Sequence, residues 1–215
     1  MHTGRAFERL ISFTDAVVAV AITLLILPII DIRGTADETS VWAIMADHSS
    51  ELITFGFTFV VVAIMWRTHN RVFNRMRAFD ETVFWLNLLW LAAVVFLPWA
   101  SALFGEGIGI ASNDGTETEG MGGAGALYWM TLVVISGSGA LMAAHVNRRP
   151  AMLENPDEAS SKGAIRGFAF AAVFALIAVA SLFFPVLASW LPLALIPISV
   201  WINVRAGKSE AEVTD

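Results

Sequence analysis

Long apolar runs separated by short polar stretches set the pattern of this chain. Segments long enough to cross ~30 Å of hydrocarbon run over 10–30, 51–66, 83–104, 126–146, 164–184 and 186–204. That pattern predicts six membrane-spanning helices. The second run is short, and "SVWAIMADHSS" ahead of it is expected to form an amphipathic turn on the membrane surface. Only Pro185 separates the last two runs, which predicts a tight helical hairpin. Pro192 and Pro197 should kink the sixth helix, a distortion tolerated where neighbours satisfy the freed carbonyls. "GEGIGIASNDGTETEGMGGAG" at 105–125 reads as a Gly-rich polar loop. The expected organisation is a single six-helix transmembrane domain over 1–204, all-α, with a disordered cytoplasmic tail over 205–215.

Composition agrees with that class. Hydrophobic residues make up 57% and charged residues 15%, and the mean hydropathy is +0.69, which excludes an ordinary soluble domain. The absence of cysteine excludes disulfides, thiolate metal sites and cysteine nucleophiles. Glu8 interrupts the basic flank of the first run and no small-residue cleavage site follows, so that run is expected to be a retained helix.

Charge sets the orientation. The N-terminal arm, the 67–82 and 147–166 loops and the C-terminus hold 12 of the 13 Lys and Arg residues, all but Arg33. An even number of spans puts these four segments on one side, which the positive-inside rule makes cytoplasmic. The alternate loops carry nine acids, an excess that would concentrate cations at the outer face; ordinary topology bias explains it equally well.

Between Leu10 and Ile30 the only charged residue is Asp15. An aspartate at the bilayer centre costs roughly 2.5–3.5 kcal/mol on insertion scales, so it needs a partner or a task. Arg9 is not an obvious partner, because six residues at about 100° each turn the two side chains about 240° apart. A partner from another helix is expected, and the basic end of the second span offers His69 and Asn70.

Three stretches carry a family resemblance. Arg9-x-x-x-Phe13-Thr14-Asp15 resembles the Arg-x-x-x-Phe-Ser-Asp signature of the transmembrane protein 175 family, with Thr14 keeping the hydroxyl. "WRTHNRVF" (66–73) is similar to that family's Trp-x-x-His-x-x-x-Phe, and "NLLWLAAVVFLPWAS" (87–101) to its Asn-Leu…Leu-Pro-Phe third span. The resemblance covers residues 5 to 104. It implies a potassium-permeable cation channel, a homotetramer in the bacterial inner membrane with both termini cytoplasmic and the first helix lining the pore. It also implies a structural polar network of Arg9, Phe13, Thr14, Asp15, His69 and Asn70 near the cytoplasmic end. No Thr-Val-Gly-Tyr-Gly filter occurs, so a carbonyl-ring filter of the usual potassium-channel kind is excluded.

Relative to Asp15, Val20 lies at about 140°, Leu24 at about 180° and Leu27 at about 120°, one stripe at i, i+4, i+7 spacing. If that stripe faces a pore, Asp15 faces into the protein as a structural anchor. The resemblance places the aliphatic constriction on the same three residues, Val20 first, and gives Thr23 a link to potassium preference. A second reading of Thr23 is a hydrogen bond to its own i−4 carbonyl, that of Ala19. The expected partners are copies of the chain, the lipid bilayer, and potassium and other monovalent cations; no cofactor, enzyme activity or nucleic acid is expected. A cation-coupled secondary transporter is the alternative, but neither inverted repeats nor broken midplane helices are evident. Trp66, Trp85, Trp99, Trp129, Trp190 and Trp201 lie near helix ends and read as interfacial anchors, and Gly137, Gly139 and Ala143 as helix-packing positions.

Overall fold

The computed structural model describes residues 1–30, 32, 40–114, 121–158 and 160–184. The chain folds as a helical bundle with one small strand pair. The elements are β1 (His2–Thr3), α1 (Arg5–Leu24), α2 (Leu27–Ile30), α3 (Val41–Asp47), α4 (Ser49–Phe73), β2 (Ala78–Phe79), α5 (Glu81–Asp114), α6 (Met121–Asn147) and α7 (Lys162–Phe183). Five helices among the described residues are long and apolar enough to cross a membrane. The sixth run (186–204), Pro185, Pro192, Pro197, Trp190, Trp201 and the 205–215 tail lie outside the described residues.

Local chemistry explains the helix limits. Pro28 has no amide for the Leu24 carbonyl; the chain tightens, with Leu25 and Ile26 bonding back to Ile22 and Thr23, and resumes as the short α2. The first run is therefore broken where a continuous helix was expected. The second helix runs to Phe73, seven residues past the expected end, so His69 and Asn70 are helical rather than part of a loop. The third runs to Asp114 and the fourth begins at Met121, so most of the expected Gly-rich loop is helix; Ile108 packs against the core of the bundle. Ahead of α4, α3 is exposed, with Trp42 among its uncovered residues.

Three of the four basic segments meet at one end of the bundle, the C-terminal one lying outside the described residues. β1 pairs antiparallel with β2 in the register His2 to Phe79 and Thr3 to Ala78. Met76 bridges to Leu153, the Arg77 amide donates to the Met152 carbonyl, and the Glu154 amide to the Arg75 carbonyl. The N-terminal arm, the α4–α5 connector and the α6–α7 connector thus form one clasp, over a cluster that includes Phe7, Leu10, Phe73, Met142 and Met152. This is the side-by-side placement that the charge count required.

A second, larger cluster runs through the bundle and includes Val18, Ala21, Trp90, Leu97, Tyr128 and Trp129. Trp129 is fully buried there, which corrects its reading as an interfacial anchor; Trp85 and Trp99 are exposed, as anchors should be. Close packing of α6 on α7 also falls elsewhere than expected. A Cβ on Gly137 would meet nothing within 4 Å, whereas one on Gly167 would lie 2.8 Å from Ala140 Cβ. The tight contact comes from the α7 side, where one sequence gives no hint of the neighbour.

Candidate functional site: the first helix and the polar network behind it

Hydrogen-bonding groups on three helices converge behind α1. Asn87, fully buried on α5, donates from Nδ2 to Thr14 Oγ1 at 2.9 Å. Thr14 passes its own proton to the Leu10 carbonyl at 2.9 Å. Asn87 Oδ1 lies 2.9 Å from His69 Nε2. Because the amide nitrogen is committed to Thr14, His69 Nε2 must be the donor of that bond. The imidazole is stacked on Trp90 at 4.1 Å and on Phe73 at 4.5 Å. Thr14, His69 and Asn87 thus satisfy one another, which is what a water-poor interior demands of buried polar groups.

Asp15 is half-buried, and its partner is neutral: Trp66 Nε1 donates to Oδ1 at 2.8 Å. Trp66 thus links α4 to α1 rather than serving only as an interfacial anchor. His69 and Asn70 line the same shallow depression as Thr14 and Asp15, so four of the six expected network residues come together. Arg9 and Phe13 do not. Both are exposed because they lie about 120° and 160° from Asp15 on the helix, on the side away from α4 and α5. Sequence reasoning missed Asn87 as a partner; its position inside an apolar run was the available signal, since a lone amide there needs hydrogen bonds.

The other face of α1 is uncovered. Leu10, Thr14, Val18, Ala21 and Leu25 are buried, while Ala16, Ala19, Val20, Thr23 and Leu27 are exposed. Val20 is 58% and Leu27 53% accessible. Leu24 is half-buried at the margin. The exposed face is centred nearer Thr23 than the Val20–Leu24 line, and Asp15 flanks it rather than standing opposite. Thr23 Oγ1 donates to the Val20 carbonyl at 2.7 Å, not to that of Ala19, so its lone pairs stay available on the exposed face.

A membrane-length helix with one packed face, one bare face free of charge from Ser12 onward and a buried polar brace defines a helical membrane protein that uses this helix for more than anchoring. Residues 9–98 match the model of the family described as endosomal/lysosomal potassium channel TMEM175. A potassium channel of Streptomyces collinus is 34% identical over 98 residues, 46% of this chain and 47% of that protein. The zebrafish endosomal/lysosomal proton channel TMEM175 is 30% identical over 96 residues, 45% of this chain and 18% of that one. The chain thus matches less than half the length of these relatives. The crystal structure of a lysosomal potassium-selective channel TMEM175 homolog from Chamaesiphon minutus superposes with a TM-score of 0.67 at 20% identity, covering 94% of this chain and 98% of that one. Over its first three membrane helices the chain is thus similar in sequence to the TMEM175 family, and it shares the fold of that solved homolog.

Proposed function

We propose that this chain is the subunit of a potassium-permeable cation channel of a bacterial inner membrane, with both termini cytoplasmic. Four copies assemble around an axis, each contributing a single six-helix domain over 1–204, with 205–215 as a cytoplasmic tail. The bare face of α1 lines the pore, and rings of Val20, Leu24 and Leu27 form a hydrophobic constriction that blocks ions sterically or by dewetting. Thr23, whose hydroxyl proton is held by the Val20 carbonyl, presents oxygen lone pairs to a passing cation. The observation that carries the reading is the uncovered face of α1, free of charge from Ser12 onward, opposite its braced one. Asp15, Thr14, His69 and Asn70, with Trp66 and Asn87, hold that helix in place rather than touch ions.

Purified protein in liposomes, assayed for potassium, sodium and caesium flux, tests this. Channel-scale flux with potassium favoured is expected. Slow, coupled flux would make it a transporter, and no flux would end the proposal.

A further inference from the structure

Where α1 breaks, at the end of the bundle away from the clasp, it packs against a small cavity with both apolar and polar walls. The cavity measures about 10 Å³ and is bounded by Leu25, Pro28, Glu51, Thr54, Ser101 and Gly105, the scale of a single water-sized occupant. Glu51 sits in the first turn of α4, about one-fifth exposed; Ser50 Oγ donates to its Oε2 at 2.8 Å and His48 Nδ1 lies 3.5 Å from Oε1. Thr54 is 6% exposed, and its hydroxyl makes no hydrogen bond among the described residues. Thr14, Thr68 and Thr131 each donate to their i−4 carbonyl; Thr54 does not. Ser101 spends its proton on the Pro98 carbonyl at 2.9 Å, leaving its lone pairs unused.

The break adds a backbone acceptor at a residue that lines the cavity: the Ile29 amide, which would reach the Leu25 carbonyl in a helix, goes to Ile26 at 3.0 Å. One carboxylate, two hydroxyl oxygens and the carbonyl of an unwound turn are the kind of donor set that cations take at broken membrane helices. A water molecule would bring two protons and no charge; a cation satisfies every acceptor and neutralises Glu51. With a single carboxylate, a divalent ion would be under-coordinated in charge.

We propose that Glu51, Thr54 and Ser101, with the Leu25 carbonyl freed at the helix break, bind one dehydrated monovalent cation outside the permeation path, setting the bend of α1. The site stands independently of the conduction reading.

The test is the melting temperature of the purified full-length protein in detergent. It is titrated with potassium or sodium chloride against N-methylglucamine chloride at constant ionic strength. A saturable rise is expected with one of the alkali cations. Thr54→Val, which keeps the side-chain shape, should raise the half-saturating concentration at least tenfold. Gly105→Ala, whose new methyl would stand 3.5 Å from the Thr54 hydroxyl oxygen, should do the same without removing a ligand, and it carries the test if Glu51→Gln does not fold. Identical melting in all three salts, or parent-like half-saturation in both Thr54→Val and Gly105→Ala, would overturn the site and leave the cavity to water.

Discussion

The indole of Trp66 on α4 donates to the Asp15 carboxylate on α1 at 2.8 Å, so the acid of the first helix is held by a neutral donor and not by a cation. A carboxylate that loses a buried ionic partner costs about 3–5 kcal/mol; this arrangement is milder. Asp15→Asn keeps an amide oxygen for the indole and should cost only about 1 kcal/mol. Trp66→Phe keeps the ring but removes the donor, and should cost about 2 kcal/mol, as for a hydrogen bond to a charged group. Thermal or denaturant unfolding of the purified variants reads the ordering. If Asp15→Asn is the more damaging, a charged partner holds Asp15 in the assembled protein.

Asn87 joins two helices through one amide. Asn87→Leu would leave the His69 donor without its acceptor and Thr14 without its donor. Each stranded buried group costs about 1–3 kcal/mol, so this variant should lose more stability than either Asp15→Asn or Trp66→Phe. Yield of assembled protein and its melting temperature check it. Thr14→Val, which strands only the Asn87 amide, should fall between.

What the sequence made legible is what elementary periodicity carries. The first five apolar runs become helices, the three described basic segments share one end, and Thr14, Asp15, His69 and Asn70 come together from two motifs. What it hid depends on neighbours in space. Asn87 and Trp66 were in view as motif letters, but nothing local says which helix faces them. The clasp was invisible because strands of two residues have no period, and their pairing is fixed by the loops around them. Helix α4 was underestimated because His69, Asn70 and two arginines look like a loop until their buried side is known. Pro28 was readable and still overlooked: a proline inside an apolar run deserved a break at its i−4 carbonyl.

Asp80 ties the clasp to the membrane helices. Its Oδ1 accepts the Val83 amide at 3.0 Å as the N-cap of α5, and its Oδ2 accepts His145 Nε2 at 2.9 Å together with Arg149. Burial pushes the carboxyl up, but the His145 hydrogen bond, the Val83 amide and the nearby positive charges outweigh it and hold the group below its ordinary value. A depressed carboxylate stabilises the fold above its unfolded value, near pH ~3.9, and that contribution is lost as pH falls through the lower folded value. Stability should therefore decline at acid pH in the parent and decline less in Asp80→Asn, which caps without charge. Asp80→Ala should lose about a further 1 kcal/mol at neutral pH with the cap. Melting temperatures from pH 3 to 7, on the order of the carboxylate range, decide it.

Gly167 has no room for a side chain. A Cβ there would stand 2.8 Å from Ala140 Cβ and 3.3 Å from its Cα, so α7 must move off α6. Gly167→Ala should cost about 1–3 kcal/mol through overpacking, although alanine favours the helix by about 1 kcal/mol. The double variant Gly167→Ala with Ala140→Gly exchanges the two methyls across the contact and should recover part of the loss. No recovery would mean that the strain lies in the backbone approach rather than in the methyl pair.

The constriction reading rests on which residues of α1 stand bare. Val20 and Leu27 are exposed, Leu24 is half-buried, and the helix breaks between Leu24 and Leu27. In a straight helix all three rings would stack; the break frees Leu27 from that geometry, so the rings at Val20 and Leu24 should carry the barrier. Val20→Asn hydrates the ring and removes the dewetting barrier, raising basal current severalfold. Val20→Leu adds a methylene per subunit and should lower it. Ala21 is 2% exposed, facing the core, so its substitution would disturb packing and makes a poor control. Leu176, 72% exposed on α7, is the better one, and Leu176→Ala should leave conductance alone. The measurement is single-channel current at equal reconstituted protein. Parent-like currents in both Val20 variants with changes at Leu27 would move the gate beyond the break. Silence at Val20, Leu24 and Leu27 together would take α1 out of the pore.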